Sequence, residues 1–184
     1  MMLLRSLRDD VRSAARWLVL NTFAGSVVVP RAMRAVIYRC AGIRLRTANV
    51  RDHCVIGGRA RLEIGPRTFV NRFCSFDLLA PITVGADCQI GPEVMFCTST
   101  HAVEGVTFSR QPHGLPVVVG DRCWLGARAT LLPGARVGDG CIVAAGAVVT
   151  GQCEPGGLYV GVPARRVRDL DPQERAASAV ATSS

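Results

Sequence analysis

From Val119 to Glu154 the chain repeats every six residues. Val119, Leu125, Leu131, Val137, Val143 and Val149 open successive pieces. Four places later each piece carries a small residue: Cys123, Ala129, Ala135, Cys141, Ala147 and Cys153. A helix would repeat every 3.6 residues and an ordinary strand every two. A period of six instead marks a parallel β-helix, in which each piece forms one side of a triangular coil. The aliphatic residue points into the prism, and the small one points in near a corner, where little volume remains. Gly120, Gly126 and Gly138 stand second in their pieces, as suits a bend that needs φ > 0. The same pairing recurs upstream: Val50 with Cys54, Ile56 with Ala60, Ile64 with Thr68, Val70 with Cys74, Val84 with Cys88, Ile90 with Val94 and Phe96 with Thr100. Three sides make about eighteen residues per coil, stacked roughly 4.8 Å apart. The predicted fold is all-β, a prism of about five to six coils over residues 50–165 less one loop, within a domain spanning 43–168.

Composition agrees with a narrow interior. Apolar residues make up 49% of the 184, yet aromatic ones only 5%. Eight cysteines raise a disulfide or zinc reading. No CxxC occurs, and Cys54, Cys74, Cys88, Cys123, Cys141 and Cys153 fall on the small inward place. They are expected to be reduced core fillers, and reduced thiols in this number point to the cytoplasm. All 22 basic side chains are arginine. Residues 1–61 carry twelve of them against Asp9, Asp10 and Asp52, so the net charge of +8 belongs to the first third of the chain.

That third opens with an arm, residues 1–42. Leu4, Leu7, Val11, Ala15 and Leu18 recur at helical spacing, beside a basic stripe of Arg5, Arg8, Arg12 and Arg16. The apolar run Trp17–Val29 is too short to span a bilayer. A signal peptide is not expected, since Asp9 and Asp10 interrupt the charged stretch. Pro30 opens a second helix with Met33, Val36, Ile37 and Cys40 on one face and Gly42 at its end. The arm is read first as a cap over the open end of the prism, which solenoids require. The other reading is a helix resting weakly on an acidic membrane surface. Arginines without interleaved aromatics give no case for nucleic acid. The segment 169–184 is small and polar and is expected to be disordered.

The rhythm of six stops after Thr100 and resumes at Val119. A β-helix that breaks step once carries a loop, here 102–115, and loops on rigid scaffolds carry function. His101 sits at the root of the loop. His53, within an early coil, and His113, between Pro112 and Gly114, are read as surface residues.

At these residues the chain resembles a known family. "VGDRCWLGARATLLPGARVGDGCIVAAGAVVTGQCEPGGLYVGVPARRVRDL" and "FVNRFCSFDLLAPITVGADCQIGPEVMFCTSTHAVE" are similar to hexapeptide-repeat O-acetyltransferases, the group of the maltose and galactoside enzymes and their polysaccharide-modifying relatives. The resemblance covers about residues 43 to 170. It implies a left-handed β-helix, acetyl-CoA as acyl donor with no metal, and a homotrimer with the coenzyme between two prisms. It implies His101 as general base and Asn71, Asp77 and Trp124 as acceptor-side residues. Ala127, Ala145, Thr150 and Gly151 would line the coenzyme groove, with Arg165 and Arg168 at its phosphates. In such a trimer His101 and Trp124 would come from neighbouring subunits. The N-terminal domain of the maltose and galactoside enzymes is missing, which disfavours a simple galactoside acceptor.

The chemistry agrees with that implication. A sugar hydroxyl is a poor nucleophile at neutral pH, and an imidazole can take its proton as the C–O bond forms. A corner backbone N–H could stabilise the charge growing on the thioester oxygen. The expected function is acyl transfer to a hydroxyl of a sugar, glycan or glycosylated intermediate. An N-acyltransferase acting on an amino sugar or antibiotic keeps the same site. A zinc enzyme needs three converging histidines, and His53, His101 and His113 lack the spacing. A non-catalytic scaffold would not need the loop and His101 together.

Overall fold

A computed structural model describes residues 2–105 and 107–171. The body is a three-sided stack of parallel strands. The first face holds six strands: Arg44–Leu45, Leu62–Ile64, Ile82–Val84, Val117–Val119, Arg136–Val137 and Gln152–Cys153. The second face begins with Phe69–Val70, Gln89–Ile90, Trp124–Leu125, Ile142–Val143 and Gly157–Val160. The third holds Val55–Gly58, Ser75–Leu78, Met95–Phe96, Thr130–Leu131 and Val148–Val149. The chain visits the faces in that order, as the period of six predicts.

Register explains why apolar residues recur. Leu45, Ile64, Val84, Val119 and Val137 stand over one another on the first face. Ile90, Leu125, Val143 and Tyr159 do so on the second, and Ile56, Phe76, Phe96, Leu131 and Val149 on the third. All are buried in one continuous core. Phe76 and Phe96 stack, with centroids 4.8 Å apart and ring planes at 9°. Each column therefore loses its water only when the next coil is laid down.

The glycines of the second place have a different cause from the one expected. Gly120, Gly126 and Gly138 do not adopt positive φ. A Cβ on Gly126 would stand 2.5 Å from the Ala145 nitrogen, and one on Gly138 would stand 2.8 Å from the Pro155 ring. Close stacking of coils, not backbone handedness, excludes side chains there. Positive φ falls instead on the fourth place, at Arg122, Arg128, Gly134, Gly140 and Gly146. Two assignments of the small place also shift. Cys153 lies in register with Val137, because the corner after Val149 is short, so the thiol fills a strand position. Thr98, not Thr100, is the buried small residue after Phe96; its hydroxyl donates to the Asp77 carbonyl at 2.7 Å.

The arm comprises α1 (Met2–Trp17), a π-helical turn (Leu18–Phe23) and α2 (Arg31–Cys40). Leu20, Ala24, Tyr38 and part-buried Ile37 join the core cluster at the first coil. Arg34, 2% exposed, is the centre of this end. Its guanidinium donates to the carbonyls of Ala24 (2.6 Å), Val50 (3.0 Å), Ser26 (2.8 Å) and Val29 (2.9 Å). Loop and coil carbonyls that no strand can reach are satisfied by one side chain. At the other end the strand Arg165–Asp169 turns back antiparallel on Gly157–Val160. Leu170 is buried and its N–H donates to the Gly156 carbonyl at 2.8 Å. The body therefore runs past the expected boundary at 168, and the rest of the segment expected to be disordered lies outside the described residues.

Candidate functional site

The loop leaves the prism between the third and first faces. Ser99–Thr100 pairs antiparallel with His113–Gly114, and Val103–Glu104 with Thr107–Phe108. His101 follows the first of these strands and is exposed. Its Nδ1 lies 2.7 Å from the Ser109 carbonyl oxygen. A carbonyl can only accept, so Nδ1 carries the proton and Nε2 keeps its lone pair. Phe108 meets the imidazole edge-on, with centroids 5.9 Å apart. The result is a fixed ring whose free nitrogen is basic.

Asp77 supports the root of the same loop. Its Oδ2 accepts from the N–H groups of Thr98 (3.1 Å) and Ser99 (2.9 Å). Thr98 Oγ1 accepts from the N–H groups of Leu79 (3.0 Å) and Ala80 (2.9 Å). A Cβ at Gly114 would stand 2.7 Å from that of Ala80, so the hairpin lies close against the prism. Asp77 and Thr98 thus fix the start of the strand that leads to His101.

A separate groove of about 570 Å³ runs along the second face. Phe69, Gln89, Trp124, Ile142 and Leu158 form its floor as one outward column in register. Asn71, Gly91, Ala127 and Ala145 line its edge towards the third face. Trp124, 48% exposed, stands mid-column. A Cβ at Gly91 would fall 2.8 Å from the Ala127 nitrogen, so the coils stack closely here and the edge carries mostly small side chains. Such a groove, apolar on its floor and shallow at its edge, suits a long, thin ligand.

The expected site residues fall into three places on one chain. His101 and Asp77 share the corner between third and first faces. Thr150 and Gly151 stand on the same corner, after the strand Val148–Val149. Asn71, Trp124, Ala127 and Ala145 belong to the groove. Arg165 and Arg168 lie on the reversed strand, opposite Val160 and Leu158. Arg166 is committed locally: it donates to Asp169 and to the carbonyls of Pro155 (3.2 Å) and Glu154 (3.4 Å).

Of the other histidines, His113 pairs with Thr100 across the hairpin and is exposed. His53 is part of a clamp at the first coil. Its Nδ1 meets Asp52 Oδ2 at 2.8 Å, and Arg72 Nε meets Asp52 Oδ1 at 3.1 Å. Burial alone would push the Asp52 carboxyl up; hydrogen bonds from His53 and Arg72 outweigh it and hold the group below its ordinary value. Sequence reading missed Ser109, because its role is played by a carbonyl that every residue has. It also missed Phe69, Gln89, Ile142 and Leu158, whose common column exists only once register is known. Among the described residues, no three His, Cys, Asp or Glu side chains are placed to hold a metal ion.

Comparison with known proteins matches this picture. Residues 116–151 match the family model for the hexapeptide repeat of succinyl-transferase. A Schizosaccharomyces pombe protein named as an acetyltransferase is 36% identical over 116 residues, which is 60% of this chain and 54% of its own. Escherichia coli galactoside O-acetyltransferase is 26% identical over 95 residues, 51% of this chain and 47% of its own. The chain spans about half the length of the curated relatives it matches. A Vibrio cholerae hexapeptide-repeat acetyltransferase, solved with acetyl coenzyme A, superposes with TM-score 0.70 at 26% identity over 85% of this chain and 86% of its own. A Clostridium difficile maltose O-acetyltransferase shares the fold, with TM-score 0.70 at 22% identity over 86% of each chain. The chain folds as a β-helix with a six-residue repeat and is similar, over most of its length, to a solved hexapeptide-repeat acetyltransferase.

Proposed function

We propose that the chain transfers an acetyl group from acetyl-CoA to a hydroxyl of a sugar or glycan, with His101 as general base. The observation that carries this is the Nδ1 bond of His101 to the Ser109 carbonyl, which leaves Nε2 as a fixed acceptor. The acceptor hydroxyl gives its proton to Nε2 as its oxygen bonds to the thioester carbon. The C–S bond then breaks, and the imidazolium returns the proton to the departing thiolate. Coenzyme A is long and its phosphates are anionic. The long, mostly apolar groove suits its arm, and Arg165 and Arg168 suit its phosphates.

The base and the groove occupy different faces of one prism, so one chain does not bring them together. A homotrimer in which the loop of one subunit overhangs the groove of the next would complete the site. Asn71 and Trp124 would then meet the acceptor from one subunit and His101 from the other.

The test is free-thiol release from acetyl-CoA against a panel of hydroxyl and amino-sugar acceptors. Turnover with hydroxyl acceptors, lost in His101→Ala, supports the reading. Turnover confined to amines replaces it with N-acyl transfer, and no thiol release with any acyl donor removes the enzyme reading.

A further inference from the structure

We infer that the N-terminal arm carries a docking surface for an anionic lipid bilayer, independent of the acyl-transfer reading. The arm's cap duty uses only part of its surface. Ser13, Trp17 and Asn21 face the first coil: Arg59 donates to Ser13 Oγ at 3.0 Å, Trp17 lies over Gly57, and Asn21 exchanges hydrogen bonds with the Ile56 backbone at 2.7 and 3.1 Å. Leu7, Val11 and Leu18 lie on another face of the helix by their spacing of four and seven. All three are more than half exposed.

This stripe runs into a concave apolar patch formed by Leu18, Val19, Phe23 and Val28, with Val28 80% exposed. An exposed apolar patch of this kind needs an occupant. Charge selects which. Arg8 follows Leu7 on the same helix, Arg31 follows the patch in the chain, and Arg12 lines the neighbouring cleft with Arg16, Arg44, Arg59 and Arg61. Asp9 and Asp10 are the only acids before Asp52. A second copy docking the same patch would bring like charges together, whereas anionic headgroups complement them. No helix among the described residues is long and apolar enough to cross a membrane, so the contact is interfacial.

The experiment is cosedimentation of the full chain with phosphatidylcholine vesicles, with and without phosphatidylserine. Binding is expected only with phosphatidylserine and is expected to weaken with added salt. The double variant Leu7→Glu with Val28→Glu should lower the vesicle partition coefficient by roughly tenfold or more, as two buried apolar side chains and two added charges would. Its melting temperature and oligomeric mass should stay unchanged, since neither side chain packs on the core. Absence of binding to anionic vesicles, or equal binding to both compositions, would overturn the inference. A double variant of smaller oligomeric mass would overturn it too, assigning the patch to contact between copies.

Discussion

At the scale of residues, the small corner place does two jobs. It limits volume, and it supplies donors. Cys54 donates to the Asn71 carbonyl at 3.2 Å, Cys74 to Gly91 (3.2 Å), Cys88 to Gly120 (3.1 Å), Cys123 to Gly138 (3.1 Å) and Cys141 to Glu154 (3.1 Å). Thr68 does the same with a hydroxyl, to Gly85 at 2.7 Å. Each thiol satisfies a corner carbonyl of the following coil. Cys123→Ser should therefore be tolerated better than Cys123→Ala, which leaves that carbonyl short and should cost about 1–2 kcal/mol in chemical denaturation. Burial also pushes the Cys141 thiol up and the Cys153 thiol up to about 11. A thiol reagent at neutral pH should modify exposed Cys40 and half-buried Cys97 in the native protein, and the other six only after unfolding. Early reaction of the six would contradict the packing. At the proposed base, His101→Ala should lower kcat about 10²–10⁴-fold with coenzyme binding retained. His53→Ala and His113→Ala should stay active.

At the scale of elements, the cap turns on Arg34. Replacing it by methionine strands the buried carbonyls of Ala24, Val29 and Val50 and should cost about 3 kcal/mol or more. Tyr38 beside it behaves oppositely. Its hydroxyl is buried without a hydrogen-bond partner, so Tyr38→Phe should be neutral or slightly stabilising. Denaturant midpoints of both variants check the pair. Such differences mark how far the sequence could be read. The period of six exposed the prism, because apolar burial on three faces leaves a repeating trace in composition. It also located the loop, as the place where the repeat fails. It could not assign Arg34, since a charged residue on an amphipathic helix looks solvated until the coil beneath it is known. Nor could it separate Gly126, excluded by the neighbouring coil, from Gly146, which supplies positive φ. The place of His101 at the root of the loop was legible, but the Ser109 carbonyl beside its Nδ1 depends on the path of the loop.

At the scale of the whole molecule, the proposed division of the site between subunits gives a direct test of assembly. Subunits carrying His101→Ala and subunits carrying a groove lesion such as Trp124→Ala should each be poorly active alone. Unfolded together and refolded, they should regain part of the activity, because some junctions then pair an intact base with an intact groove. No gain on mixing would place the whole site within one chain. The two ends of the prism also decide what the molecule cannot become. A stack of parallel strands has no intrinsic reason to stop, since its final coil offers the next the same unpaired edge. Here the last strand, Arg165–Asp169, runs against the others and slips register between Leu158 and Tyr159. A parallel coil from another molecule would meet donors and acceptors in the wrong phase, and a row of arginines besides. The reversal is in effect a terminator, and a chain cut before Arg165 should associate through that one uncovered end, the arm still covering the other.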